Sequence, residues 1–251
     1  MSLRPLLASA VALVALDATA SLRPTALAAH TAQAVPATKS PQAAPSLRSP
    51  SPAALARTGP DSFDVAVHTS KGRLTLRVRR SWAARGSDRV YHAVQARYYD
   101  GNRFFRVIPG FMAQFGFHGD PGVNRTWDAY RMRDDAVKVS NSRGIVTFAT
   151  RGPGSRTVQL FVNTGNNESL DGMGFAPVGS VLEGMAVVDS FYSGYGEGSP
   201  RGPGPDQTKL GTQGNAYLAK SYPKLDFIDS ARVVKSWAAA VPTAPAKRPM
   251  R

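Results

Sequence analysis

The chain of 251 residues contains no cysteine. A disulfide framework, a thiolate metal site and a cysteine nucleophile are therefore excluded, while the redox compartment stays open. Histidine is scarce: His30, His68, His92 and His118 stand at unrelated spacings, so a histidine-based metal site is not expected. Acidic residues are outnumbered, 17 Asp+Glu against 31 Lys+Arg. That imbalance keeps nucleic acid and anionic membranes in view as partners without choosing between them. Long apolar runs are missing too. The stretch Leu6 to Leu16 is interrupted by Asp17 and falls short of the ~20 residues that span a bilayer, so no stable membrane insertion is expected. There is no GxxxxGK[ST] phosphate loop, no HExxH and no GxSxG. Between Ser21 and Pro60 there is no aromatic residue and no apolar period.

What is present divides the chain into four parts. Residues 1–20 carry one early positive charge, Arg4, then the apolar run, then the small residues Ala18-Thr19-Ala20, which is the pattern of a signal peptide. A transit peptide into an organelle lumen is the competing reading, since residues 1–60 hold five Lys/Arg and the single acid Asp17. Residues 21–61, made of Ala, Pro, Ser and Thr, bury too little surface to offset their ordering entropy and read as a disordered linker. Residues 62–235 are the globular part, and 236–251 a flexible tail.

The globular part reads as mainly β. Phe63, Val65 and Val67 alternate with polar residues, Ser70-Lys71-Gly72 turns the chain, and Leu74, Leu76 and Val78 alternate again, predicting a hairpin with one buried face. Gly86-Ser87-Asp88 caps a predicted helix whose apolar residues are Val90, Tyr91 and Val94. Five short apolar runs follow, broken by turn residues: Phe104 to Ile108, Phe111 to Phe115, Gly144 to Ala149, Gln159 to Asn163 and Val178 to Leu182. Such spacing predicts a barrel or sandwich. A second short helix is expected over Gly184 to Tyr192, a long surface loop over Ser193 to Gly214, and a returning strand within Ala216 to Val234.

Two features invite chemistry. The acid pair Asp134-Asp135 sits in a turn-rich stretch and reads as a solvated loop. The basic residues Arg73, Arg77, Arg79, Arg80, Arg85 and Arg89 read as a solvated face. More informative is Phe104-Phe105-Arg106-Val107-Ile108-Pro109-Gly110-Phe111-Met112-Ala113-Gln114, one cation among large apolar groups. From composition alone Arg106 is either a core arginine neutralising a carboxylate or a residue facing a ligand.

The pattern Phe-x-Arg-Val-Ile-Pro-Gly-Phe-Met-x-Gln, followed by Gln159-Leu160-Phe161 and Leu170-Asp171-Gly172, resembles the cyclophilin family over residues 62–235. The resemblance implies a closed eight-stranded antiparallel barrel capped by two short helices, with peptidyl-prolyl cis/trans isomerase activity and no metal or cofactor. It implies catalytic roles for Arg106 and Gln114. Phe111, Met112, Phe161 and Leu170 would form the proline pocket, Gln159 would hold substrate backbone, and Ala149, Thr150 and Phe175 would line the rim. Expected partners are proline-containing peptides and unfolded proteins, with no nucleic acid, and a monomer is expected.

Departures from the family pattern stand at Phe105, where histidine is usual, and in the expanded stretch Phe115 to Asp120. A third is Ser169, where many members carry a tryptophan that contributes to cyclosporin binding; weak inhibition by cyclosporin is the expectation. The departures at Phe105, Ser169 and Phe175 support the alternative of a proline-segment binding module with little turnover. Asn124-Arg125-Thr126 and Asn167-Glu168-Ser169 are sequons whose use the sequence leaves open.

Overall fold

The structure, a computed structural model, describes residues 44–238. The expected signal peptide, most of the linker and most of the tail lie outside the described residues.

Eight strands form one antiparallel sheet: β1 (Ser62–Thr69), β2 (Gly72–Arg79), β3 (Arg106–Ile108), β4 (Met112–Phe115), β5 (Ile145–Phe148), β6 (Leu160–Asn163), β7 (Pro177–Glu183) and β8 (Ile228–Trp237). Their order across the sheet is β3-β4-β6-β5-β7-β2-β1-β8. All five apolar runs after the hairpin become β3 to β7, and the hairpin forms in the register Val65 to Leu76. The sheet curls around a core that includes Phe63, Leu76, Phe115, Val146, Phe148, Leu160 and Val178. Full closure is not reached, which corrects the expectation of a closed barrel. The end strands β3 and β8 form no ladder with each other, and one bridge, Arg103 to Phe227, spans the gap. The reason is β3 itself: three residues, ending at the Pro109-Gly110 turn, leave no strand to pair with ten-residue β8.

Five α-helices are described, more than the two expected: α1 (Pro52–Leu55), α2 (Ala84–Gln95), α3 (Pro121–Asp128), α4 (Met185–Asp189) and α5 (Gln207–Ser221). Helix α2 begins before the stretch read as its cap. Its exposed N–H groups are capped from afar, because Arg85 N and Gly86 N donate to the Asp135 carboxylate at 3.1 and 2.9 Å. Asp134 accepts from Gly154 N and Arg156 Nε. The acid pair is thus structural, not a free loop. On α2, Arg89 is buried rather than part of a solvated face. It donates to Tyr130 O and Thr157 O, and burial pushes its pKa down to about 10.

Helix α5 occupies the end of the stretch expected to be loop and the start of the stretch expected to return a strand, which begins only at β8. It is capped by Asp206, whose side chain accepts from Thr208 N and Lys209 N, and it kinks at Gly214, whose φ is 61°. A Cβ there would sit 2.0 Å from Gly119 O, so the close approach of α5 to the 116–120 loop requires glycine. Leu210 and Leu218 of α5 pack with Phe105, Leu225 and Phe117 in a cluster separate from the main core. Two of the departures from the family pattern meet here: Phe105 and Phe117 of the expanded loop stack edge-on at 5.2 Å. Residues 44–61 also pack against the domain. Leu55 is buried, and Trp127 Nε1 donates to Leu47 O at 2.7 Å.

Candidate functional site

Alternation along β3, β4 and β6 sorts the motif onto two faces of the sheet. Val107, Ala113, Phe115, Leu160 and Val162 point into the main core. Residues of the opposite parity, Ile108, Met112 and Phe161, join Phe111, Ala149, Leu170 and Phe175 in an apolar cluster outside it. Pairing then sets them side by side: Arg106 opposes Gln114, and Gln114 opposes Phe161. A guanidinium, an amide and a phenyl ring thereby form one row across three strands.

These side chains line a cleft of about 640 Å³. All ten residues singled out from the sequence lie in its wall: Arg106, Phe111, Met112, Gln114, Ala149, Thr150, Gln159, Phe161, Leu170 and Phe175. Met112, Phe161 and Leu170 are buried and make the apolar floor. Close packing of the turns below it matters. A Cβ at Gly165 would lie 1.9 Å from Gly110 O, so the turn carrying Phe111 can rest on the 163–166 segment only because that residue is glycine. Asn167 Nδ2 donates to Phe111 O at 2.8 Å and locks the same turn.

The far wall hangs on a buried polar network. Asn141, fully buried, donates through Nδ2 to Asp171 Oδ1 at 2.7 Å and to Phe175 O at 2.9 Å, and its Oδ1 accepts from Thr147 Oγ1 at 2.7 Å. Asp171 also accepts from Ser140 Oγ and Asn141 N. The Leu-Asp-Gly motif thus holds Leu170 through its neighbour's carboxylate. Hydrogen bonds from Ser140 and Asn141 outweigh the cost of partial burial and keep that carboxyl below its usual range. Both sequon asparagines, Asn124 and Asn167, are buried with their amide nitrogens donating to protein acceptors.

Arg106 stands in the middle of the cleft, its side chain 19% exposed. Nη1 donates to Gln114 Oε1 at 3.2 Å, and Gln114 Nε2 donates to Gln159 Oε1 at 3.0 Å. The amide orientation follows from chemistry, since a guanidinium only donates and must meet an oxygen. The ring of Phe111 lies 5.6 Å from the guanidinium carbon. Both readings of Arg106 are met together: it faces the cleft, and it also pairs with a carboxylate. That carboxylate is Glu197, which the sequence reading missed. Arg106 Nε and Nη2 donate to Glu197 Oε1 and Oε2 at 2.7 and 2.6 Å, a bidentate pair. Hydrogen bonding from Arg106 holds the Glu197 carboxyl below the usual range. One signal was available: Glu197 is the single acid between Asp189 and Asp206. Phe105, by contrast, lies behind the cleft in the α5 cluster and is no part of its wall.

Among the described residues no cluster of metal-ligating side chains occurs, and no helix is long and apolar enough to cross a membrane. Residues 64–206 match the family model described as cyclophilin type peptidyl-prolyl cis-trans isomerase/CLD. The chain is 32% identical over 146 residues to peptidyl-prolyl cis-trans isomerase cyp18 of Streptomyces antibioticus, covering 55% of this chain and 87% of that relative. It is 31% identical over 136 residues to peptidyl-prolyl cis-trans isomerase B of Escherichia coli, covering 51% and 82%. In fold it is similar to a cyclophilin type isomerase of Cryptosporidium parvum, with a TM-score of 0.52 at 17% identity over 70% of this chain and 99% of that one. With its motif on one face of a curled eight-stranded sheet and more than half its length matched, the chain belongs to the cyclophilin-type peptidyl-prolyl cis-trans isomerase family.

Proposed function

We propose that the chain accelerates rotation about X-Pro bonds in protein segments bound in this cleft, with Arg106 as the central catalytic residue. The observation that carries the reading is the lining itself: a guanidinium held beside an apolar floor and next to two linked amides.

The X-Pro bond resists rotation by about 18–20 kcal/mol because the nitrogen lone pair is delocalised. No bond is made or broken, so catalysis requires only that the twisted state be bound better than either planar one. Twisting makes the nitrogen pyramidal and more basic, and a fixed donor aimed at it interacts most strongly at the top of the barrier. Arg106 supplies that donor, oriented through Gln114. Met112, Phe161 and Leu170 grip the proline ring. Gln114 accepts from Arg106 and donates to Gln159, which leaves Gln159 to bind the flanking backbone. No proton leaves or joins any residue.

Export from the compartment of synthesis is part of the proposal and rests on residues 1–20 alone; N-terminal sequencing of the mature protein tests it, and an intact Met1 refutes it. Turnover is tested by exchange NMR of an X-Pro peptide with the full chain and with Arg106→Ala. Fast exchange, lost in a folded variant, is expected. Equal exchange in both refutes the role of Arg106, and slow exchange in both leaves the cleft as a binding module.

A further inference from the structure

The segment between α4 and α5 contributes Glu197, Gly198, Ser199, Pro200 and Arg201 to the wall of the cleft. It forms no helix or strand beyond a single bridge, Gly198 to Gly204. Glycines punctuate it at 194, 196, 198, 202 and 204. At its start it is anchored, Phe191 stacking on Phe104 at 3.9 Å in the main core and Tyr192 N donating to Asp226 Oδ2 at 2.7 Å; from residue 194 onward its ties run to the C-terminal end of α5 and to itself. Tyr195 meets Tyr222 edge-on at 5.0 Å, Tyr222 Oη donates to Gly204 O at 3.1 Å, and Gly204 N donates to Glu197 O at 2.8 Å. Glu197 joins this stretch to β3 through Arg106.

That contact takes up the chemistry the reaction needs. Of the five N–H groups of a guanidinium, Nε–H and one on Nη2 go to Glu197 and one on Nη1 goes to Gln114. Glu197 is also the one carboxylate in the cleft wall, which it shares with three arginines, Arg106, Arg151 and Arg201. With the pair formed, the positive charge of Arg106 is neutralised and two of its N–H groups are held by the chain's own carboxylate.

Resting on the isomerase reading above, we infer that Glu197 is an internal competitor for the substrate. It latches the 194–204 segment over Arg106, and X-Pro segments bind only the fraction of molecules in which the latch is open. A ligand that requires a partly populated state binds more weakly by that fraction. The two side chains are 19% and 31% exposed, so the pair is neither fully solvated nor buried. An ion pair at the upper end of the exposed range closes the latch in roughly four molecules of five. Substrate affinity is then about fivefold below that of the open cleft.

The test is steady-state exchange NMR of an X-Pro peptide with the full chain, comparing wild type, Glu197→Gln and Glu197→Ala at matched melting temperature. A latch predicts that KM falls about fivefold in both variants while kcat stays the same, because only the competent fraction changes. A fall in kcat would make Glu197 a positioning residue for Arg106 and overturn the inference, as would an unchanged KM. A second readout separates this inference from the isomerase reading. In ¹⁵N NMR the Arg106 Nε–H is expected to be protected from solvent exchange in wild type, and to lose protection in Glu197→Gln. If the wild type proves inactive, peptide titration replaces turnover: tighter binding by Glu197→Gln keeps the latch while refuting catalysis. An unprotected Nε–H in wild type refutes the latch, whatever the activity.

Discussion

Replacing Arg106 by lysine keeps the positive charge and removes the fork, so it asks whether geometry or charge drives rotation. In the native cleft the guanidinium makes three hydrogen bonds to oxygen, two to Glu197 and one to Gln114, and a longer one from Nη1 to Met112 Sδ at 3.9 Å. Its plane lies near the ring of Phe111, at 5.6 Å. An ammonium on a flexible stem lacks the rigid fork by which one N–H is held on Gln114 while another is aimed at the prolyl nitrogen. Losing one charge-assisted hydrogen bond costs roughly 1.5–3 kcal/mol. If that bond is made in the twisted state, the loss appears in the rate, and each ~1.4 kcal/mol is tenfold. Arg106→Lys is therefore expected to lower kcat by about 10- to 100-fold. Arg106→Ala, which removes the donor altogether, should fall toward the 10²–10³-fold losses typical of deleting an oriented transition-state donor, about 3 kcal/mol or more. Stability should change little in the lysine variant, within about 1 kcal/mol, because the ion pair it disturbs is partly exposed. Exchange NMR on an X-Pro peptide gives kcat, and thermal unfolding followed by circular dichroism gives the control. A folded Arg106→Lys protein with kcat within about threefold of wild type would refute the argument from geometry, since that difference is worth only ~0.7 kcal/mol.

Acidification should destabilise the fold between pH 7 and 5. Burial pushes the pKa values of His92 and His118 down. In the fold His92 Nε2 donates to Arg57 O at 2.7 Å, and His118 Nδ1 accepts from Asp120 N at 3.0 Å, an arrangement that a second proton on His118 would break. The unfolded chain takes up protons near the ordinary value of about 6.5, so it binds more protons than the fold below that pH and stability falls as pH falls. A melting temperature that is flat over this window in wild type would contradict this, and a His92→Gln/His118→Gln double variant should flatten the slope. Asn141→Ala strands the Thr147 hydroxyl and one side of Asp171, and should cost about 3 kcal/mol in urea denaturation while raising KM, because Leu170 and Phe175 lose their anchor. An unchanged KM in that variant would show that the network serves stability alone. Cyclosporin should bind weakly to the wild type and more tightly to Ser169→Trp, since position 169 is exposed on the turn beside Leu170; tight binding by the wild type in a calorimetric titration would sink this.

Much of the site was legible in the chain because it depends on neighbours two residues apart. Alternation at Arg106, Ile108, Met112, Gln114, Gln159 and Phe161 is enough to put them on one face, and antiparallel pairing brings three short strands together with their outward side chains in rows. Phe111, Leu170 and Phe175 were reached through the motif rather than through any period, since they sit on turns. Helix α5 escaped because Gly211 and Gly214 read as loop signals, and its few apolar residues, Leu210 and Leu218, find their partners in Phe105 and Phe117 about a hundred positions away.

Composition, pattern and motif by themselves determined the strand-rich fold, the cleft-facing residues and the family. Tertiary structure alone decided three things: that the sheet stays open at β3 and β8, that Asp135 caps α2 across 49 residues, and that Glu197 meets Arg106 across 91. A side chain's face is set by the backbone's own period, which is local. Which charge it meets is set by where distant loops close, and no residue near Arg106 in sequence carries that information.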